Sequence, residues 1–328
     1  CMGPTNYITQ SYFETPVGIT VEGANILTRS MITFGQGVIR CHPYVLDELF
    51  AAQDDDSSAG LIKFDKAFWS HVGFVFSNHV RSFFIGLTNG YFVRVPHYGP
   101  LKRYYQLATR FSSILALIAD VAMVSVGSAL KRNEYLSGRL ADMVSSIYMV
   151  TTVLKYYESI PTDNRCELDE WIAKWVCLDL FKLFERQLHE LLINFPNRWV
   201  ARYLRVYTMP WGRFLNSSTD NLLNKITLAM LDKNQVRERF KLYVAGYGQG
   251  ESILSKMEKV FEMTLSMAPL EGRVRNAAKK SLISGRDYME LLSSAVEKGV
   301  ISKNEKHLLE ELEKVRMEVI NVDDFADE

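Results

Sequence analysis

The stretch Ser112 to Leu130 reads SSILALIADVAMVSVGSAL and is the most apolar part of this sequence. Its 19 residues include one charged side chain, Asp120. The length is close to the minimum for a membrane-spanning helix. A charge at the centre of a bilayer costs several kcal/mol, however, and the small Ser, Ala and Gly residues suit close helix packing. We therefore predict a buried bundle helix from Leu101 to Leu130 in preference to a membrane span.

Apolar residues at helical spacing predict further helices on both sides of this stretch, at about residues 24–50, 64–87, 136–154, 167–193 and 199–207. We expect a bend or break near His42-Pro43, and Asn89-Gly90 and Pro161 end two of the helices. Shorter helices follow residue 217, with breaks near Gly246–Gly250 and at Pro269. Ser302-Lys303-Asn304-Glu305 is a capping box that begins the last helix.

The fold class follows from these predicted helices and from the lack of strand patterns in the sequence. No segment alternates between apolar and polar residues with the period of two that strands require, and no hairpin signal joins two β-branched runs. The sequence therefore predicts an all-α protein, a multi-helix bundle with an additional helical subdomain.

Composition narrows the functional classes. The chain has 328 residues, of which 48% are apolar, and its 38 basic residues equal its 38 acidic ones. This balance gives no basic field to attract nucleic acid. The four cysteines, Cys1, Cys41, Cys166 and Cys177, show no metal-binding spacing, and we expect reduced thiols packed as small core residues. No signal peptide is visible, and a chain that begins with Cys1 looks like part of a longer one.

One carboxylate near the start stands between apolar residues and is followed by a glycine: Glu22, then Gly23. An ionised Glu in apolar surroundings is costly unless it is paired or its pKa rises. A raised pKa suits a general base that works near neutral pH. The alternative interpretation is an acid in the first turn of a helix, where the helix dipole favours it.

The surrounding residues resemble a known family. Val21-Glu22-Gly23-Ala24-Asn25-Ile26-Leu27-Thr28-Arg29 is similar to the acyl-CoA dehydrogenase segment in which a catalytic Glu and a Gly open the last helix of the catalytic domain. The run from Phe34 to Leu46 resembles the large bacterial fatty-acyl-CoA dehydrogenases of β-oxidation, as do Asn194–Arg198 and Ile320–Phe325. This resemblance implies the end of a catalytic domain at residues 1–53, an acidic linker at 54–60 and a bacterial-type helical region at 61–328.

The resemblance also implies a chemistry and its residues. Such enzymes remove two hydrogens from a fatty acyl-CoA with the help of FAD and pass electrons to an electron-transfer acceptor. Glu22 matches the catalytic base and Gly23 the residue beside the substrate thioester. Ala24, Asn25 and Ile26 match the stretch that touches FAD. Because Ala24 and Ile26 lack polar side chains, their FAD contacts would come from backbone groups. Arg29 matches a family arginine for which we expect a structural role.

The resemblance further implies a cytoplasmic homo-oligomer whose N-terminal helices and middle β-domain lie outside this sequence. A second hypothesis is a non-catalytic helical module that binds a partner or a membrane surface. It rests on the apolar helix at Ser112–Leu130 and on the basic, aromatic segment Arg198–Arg213. His71 and His79 lie two turns apart on one helix, too far for a shared metal ion, and we interpret them as residues at the edge of the core.

Overall fold

The computed structural model describes residues 12–18, 26–96, 99–212, 215, 218–242 and 253–320. Within these ranges the chain forms helices joined by turns, and no strand is present. The predicted all-α fold is confirmed.

Besides a short helical stretch at residues 12–18, the described ranges contain thirteen helices and two 3₁₀ turns, Gly127–Arg132 and Thr162–Asn164. The first helix is wound as a π-helix. In chain order the helices are α1 (Ile26–Gln36), α2 (Gly37–Cys41), α3 (Val45–Ala52), α4 (Ser57–Leu87), α5 (Lys102–Val126), α6 (Glu134–Ser159), α7 (Glu167–Asn194), α8 (Arg198–Thr208), α9 (Asp220–Leu231), α10 (Gln235–Lys241), α11 (Ile253–Lys279), α12 (Tyr288–Glu297) and α13 (Lys303–Ile320).

Contacts along the chain define two compact units. One comprises Ile19–Thr227, and the other comprises Leu228–Glu328 together with Cys1–Gly18. The acidic stretch at 54–60 lies inside the first unit: residues 54–56 are part of the connection from α3 to α4, and residues 57–60 form the first turn of α4. Its Asp56 accepts hydrogen bonds from the backbone N–H groups of Ser58 and Ala59, at 2.9 and 3.2 Å, and so caps α4. The domain limits drawn at this stretch stay a prediction.

The core of the Ile19–Thr227 unit is built around α5. Phe111, Ile114 and Leu117 of this helix are fully buried. Phe111 stacks on Phe181 of α7 with ring centroids 4.9 Å apart and meets the edge of Phe184 at 4.5 Å. Each such side chain stabilises the fold by about 1.5–3 kcal/mol through burial alone. The most apolar stretch of the sequence is thus the element around which this unit packs.

Two charged residues of α5 are buried and have protein partners. Arg110 donates to the side chain of Asn89 and to the Thr208 carbonyl, and burial lowers its pKa to about 10. Asp120 is 2% exposed and takes part in the network described below. Among the described residues, the one helical segment long and apolar enough to cross a membrane is Lys102–Leu130, which comprises α5 and the start of the 3₁₀ turn after it. Its partnered charges and its place in the core support the predicted bundle helix.

Helix α4 packs differently from what its pattern suggests. The apolar stripe along 64–87 predicts an apolar face turned to the core. Instead, Trp69, Phe76 and Phe84 are 68, 69 and 60% exposed. The buried positions of the helix are small or polar: Gly60, Asn78, Ser82 and Gly86. Small residues here let neighbouring backbone approach, since a Cβ on Gly86 would lie 3.0 Å from the Tyr207 carbonyl oxygen.

The unit that contains Leu228–Glu328 has its own core between α11, α12 and α13. Val274, Leu292 and Leu309 are almost or fully buried there. The predicted capping box is present: the Ser302 backbone N–H donates to Glu305 at 2.7 Å, and the Glu305 N–H donates to the Ser302 hydroxyl at 3.2 Å. This cap starts α13 where the sequence indicates.

Two local expectations are wrong. The helix does not break at Pro269, because α11 runs through it from Ile253 to Lys279, and the apolar packing that follows holds the helix together. Of the described cysteines, Cys177 is buried as expected, but Cys41 and Cys166 are exposed. All three are free thiols. The glycine run Gly246–Gly250 and Cys1 lie outside the described residues.

Candidate functional site

The residues of the dehydrogenase motif to which the resemblance assigns a role in catalysis or binding lie before α1 or at its first residue. Glu22, Gly23, Ala24 and Asn25 lie outside the described residues, and Ile26 begins α1 without a described side chain. Their roles as base, substrate contact and cofactor contacts therefore stay predictions. The described structure shows how the segment directly after them is held.

Arg29 anchors α1 to α6. Its Nε donates to Asp142 Oδ1 at 2.6 Å and its Nη2 to Oδ2 at 2.5 Å, a bidentate ion pair. The hydrogen bond to Asp142 raises the pKa of Arg29 against a smaller effect of burial. Gly138 makes room for the guanidinium, since a Cβ there would lie 3.1 Å from Nη1. Arg29 thus has the structural contact expected of it.

A second polar anchor lies at the end of α2 and joins it to α5. His42 Nε2 lies 3.1 Å from Asp120 Oδ1, and Asn78 of α4 donates to Asp120 Oδ2 at 3.1 Å. His71 of α4 lies beside the His42 ring, with centroids 4.5 Å apart, and its Nδ1 is 2.8 Å from Glu48 Oε1. We call these five residues the His42 network.

The His42 network contains a set of groups that resembles a metal site. Ligand atoms of His42, His71 and Asp120 all lie within 4.8 Å of one another. The histidine that groups with His71 is thus His42, from the turn after α2, and not His79 on the same helix as His71. His79 instead makes a hydrogen bond at 2.7 Å to the Val75 carbonyl.

The backbone decides the protonation of His42. Its Nδ1 accepts hydrogen bonds from the N–H groups of Tyr44 and Val45, each at 3.2 Å. A nitrogen that accepts carries no proton, so the neutral ring bears its proton on Nε2 and donates it to Asp120. A histidine that binds a metal ion through Nε2 needs its proton on Nδ1. The described arrangement is therefore a hydrogen-bond network and not a metal centre.

Electrostatics agree with a neutral His42. Burial lowers its pKa, the charge of Asp120 opposes this effect, and neighbouring His71 adds to it. By accepting from two backbone N–H groups, His42 also satisfies donors at the start of α3, much as a capping side chain does. The network thus fixes the break after α2 and holds α2, α4 and α5 together.

The sequence comparison identifies the class of protein. The family described as "Acyl-CoA dehydrogenase, C-terminal, bacterial type" matches residues 39–325. The chain belongs to this family. No solved structure shows a significant match to the chain.

The region that matches this acyl-CoA dehydrogenase family begins at residue 39, between Arg29 and His42. The His42 network lies inside the match, whereas Arg29 and the motif around Glu22 precede it. A pocket of about 310 Å³ adjoins the His42 network, and Phe34, Val38 and Leu115 line it together with His42 and Asp120. Sequence reasoning missed this network, since it saw His42 only as a helix break and Asp120 only as a charge in an apolar helix.

Proposed function

We propose that this chain is the C-terminal part of an FAD-dependent acyl-CoA dehydrogenase. In the complete enzyme it would take part in the α,β-dehydrogenation of fatty acyl-CoA to trans-2-enoyl-CoA, a step of fatty acid β-oxidation. One observation carries the proposal: the family match at residues 39–325 begins ten residues after the end of a segment that resembles the catalytic Glu-Gly motif, Val21–Arg29.

In this proposal Glu22 removes the α-proton of the acyl thioester. The thioester carbonyl needs hydrogen-bond donors as negative charge develops on it, and the backbone N–H of Glu22 is one of them. Gly23 leaves room for the substrate beside this N–H. Exclusion of water raises the pKa of Glu22 toward the value that proton transfer needs. Asn25 and the backbone groups of Ala24 and Ile26 would hold part of FAD, which would supply the acceptor for the β-hydrogen.

The described contacts support this assignment because a base must be held in a fixed position. Small displacements of a catalytic group cost large factors in rate. The helices that follow Glu22 are tied down at Arg29 by Asp142 and at His42 by Asp120. The ion pair at Arg29 and the hydrogen bond at His42 hold the described chain that follows the proposed base.

The test uses the complete polypeptide, with Glu22→Gln compared against Glu14→Gln. Glu14 is an exposed acid eight residues before Glu22, and its substitution makes the same change in charge. We expect Glu22→Gln to lower kcat by about 10²–10⁴-fold while acyl-CoA binding, measured by calorimetry, persists. Near-normal turnover by Glu22→Gln would show that Glu22 is not the catalytic base.

A helical interaction module is the second candidate, and the exposed stripe of α4 favours it. Trp69, Phe76 and Phe84 are exposed apolar side chains of α4, and contact with another chain would remove them from water.

We propose that the complete protein is a cytoplasmic homo-oligomer that passes electrons to an electron-transfer acceptor. Light scattering on the complete protein measures its mass, and a monomer at micromolar concentration would contradict the oligomer.

A further inference from the structure

A pocket of about 330 Å³ lies where the end of α7 meets α8 and the turn that follows α8. Leu192, Phe195 and Met209 are buried apolar residues that line it. Its polar lining consists of His189 and of three arginines, Arg198, Arg202 and Arg205. No Asp or Glu is among the lining residues.

The three arginines share one face of α8, because they stand at positions i, i+4 and i+7 of the helix. Like charges at this spacing repel one another and destabilise a helix. Within the described residues no carboxylate lies within ion-pair distance of them, although other arginines have such partners. Arg29, Arg237 and Arg316, for example, each contact an acid.

The concentration of positive charge is local, since the whole chain has equal numbers of basic and acidic residues. A guanidinium offers a planar fork of donors that matches the oxygens of a phosphate group. Three such forks around one pocket, with buried apolar side chains beside them, suit a ligand that carries a phosphate group next to an apolar part. The ring of exposed Trp199 lies 5.2 Å from the guanidinium of Arg202, one of the lining arginines.

We propose that this pocket, which we call the α8 pocket, binds a phosphate group through Arg198, Arg202 and Arg205. The phosphate could belong to a soluble phosphate ester or to the headgroup of an anionic lipid. Both sources present the same oxygens to the arginines, and the experiment below separates them. The proposal is independent of Glu22 and of dehydrogenase activity.

The main variant replaces Arg198, Arg202 and Arg205 together by Gln. The matched control replaces three exposed arginines elsewhere, Arg94, Arg132 and Arg286, by Gln, so that both variants lose the same charge. Circular dichroism checks that each protein is folded. A third variant with Lys at the three pocket positions keeps the charge and removes the planar forks.

The soluble arm measures binding of inorganic pyrophosphate by calorimetry, and the lipid arm measures co-sedimentation with phosphatidylglycerol vesicles against phosphatidylcholine vesicles. We expect the full chain to bind at least one anionic probe, and the pocket Gln variant to bind it at least about tenfold more weakly. The control variant should stay within about twofold of the parent chain.

The arm that responds identifies the source of the phosphate. Loss of binding in the pocket Gln variant, with an intermediate loss in the Lys variant, supports the α8 pocket. Equal weakening of the pocket and control variants would show that net charge and not this pocket attracts the anion. That outcome, or binding of neither probe by the parent chain, overturns the proposal.

Discussion

Replacement of Asp120 by Ala tests whether the His42 network holds the Ile19–Thr227 unit together. Asp120 is 2% exposed. It lies at 3.1 Å from His42 Nε2 on one side and from the Asn78 amide on the other. Alanine removes the acceptor from two donors at once and leaves both donors in the interior.

The expected loss follows from those two donors. A buried donor without an acceptor costs about 1–3 kcal/mol. Two of them cost roughly 2–6 kcal/mol, in line with about 3–5 kcal/mol for breaking a buried pair from one side. Better helix propensity of Ala over Asp and the removal of a buried carboxylate offset part of this. We expect Asp120→Ala to lower the free energy of unfolding by about 3 kcal/mol.

Tryptophan fluorescence is the appropriate assay. All five tryptophans lie between residues 69 and 211, so they report on the Ile19–Thr227 unit and not on the other one. Urea unfolding followed this way gives the free energy of the unit. Asp65→Ala, at an exposed site of α4, is the control and should stay within about 0.5 kcal/mol of the parent chain. If Asp120→Ala lowered the free energy of unfolding by less than about 1 kcal/mol, the His42 network would not hold the unit together as inferred.

Two further predictions concern the same unit. Burial lowers the pKa of His42 below its ordinary value of 6.5, so the unfolded chain binds a proton that the folded chain does not. Stability should therefore fall as the pH drops from 6.5 toward the folded pKa. Urea unfolding at several pH values should show less of this loss in His42→Asn, whose amide oxygen still accepts from the backbone, and an unchanged loss in His307→Asn, which is exposed. On α4, Gly73→Ala meets open space and should raise the unfolding free energy by about 0.5–1 kcal/mol. Gly60→Ala should instead lower it by about 1 kcal/mol or more, because its Cβ would lie 2.8 Å from the Ala51 carbonyl oxygen; equal shifts in the two variants would contradict this close approach.

Much of the fold could be predicted from the sequence because helix ends are local. The break at His42-Pro43, the end of α4 at Asn89-Gly90 and the capping box at Ser302 all depend on residues within a few positions of one another. The sequence was less informative about which helices pack against one another. The apolar stripe of α4 does not say which face another helix will cover, and Pro269 is tolerated inside α11, whose buried residues pack against other helices.

The candidate site also contains features that the sequence reveals and features that it does not. The motif Val21–Arg29 and the arginines of α8 can be found by reading the sequence, since each is a short contiguous pattern. The His42 network cannot, because Asp120 is 78 residues from His42 and no spacing rule connects them. The proton position on His42 depends in turn on two backbone N–H groups at the start of α3.

The all-α class, most helix ends and the resemblance to acyl-CoA dehydrogenases can be recognised in the sequence, because these depend on local patterns and short motifs. Which polar and charged side chains meet depends on the tertiary structure. It brought Arg29 to Asp142, brought His42 to Asp120, and left three arginines of α8 around one pocket with no described acid beside them. The physical reason is that a buried or clustered charge is stabilised by groups that are near in space, and the packing of the helices determines those neighbours.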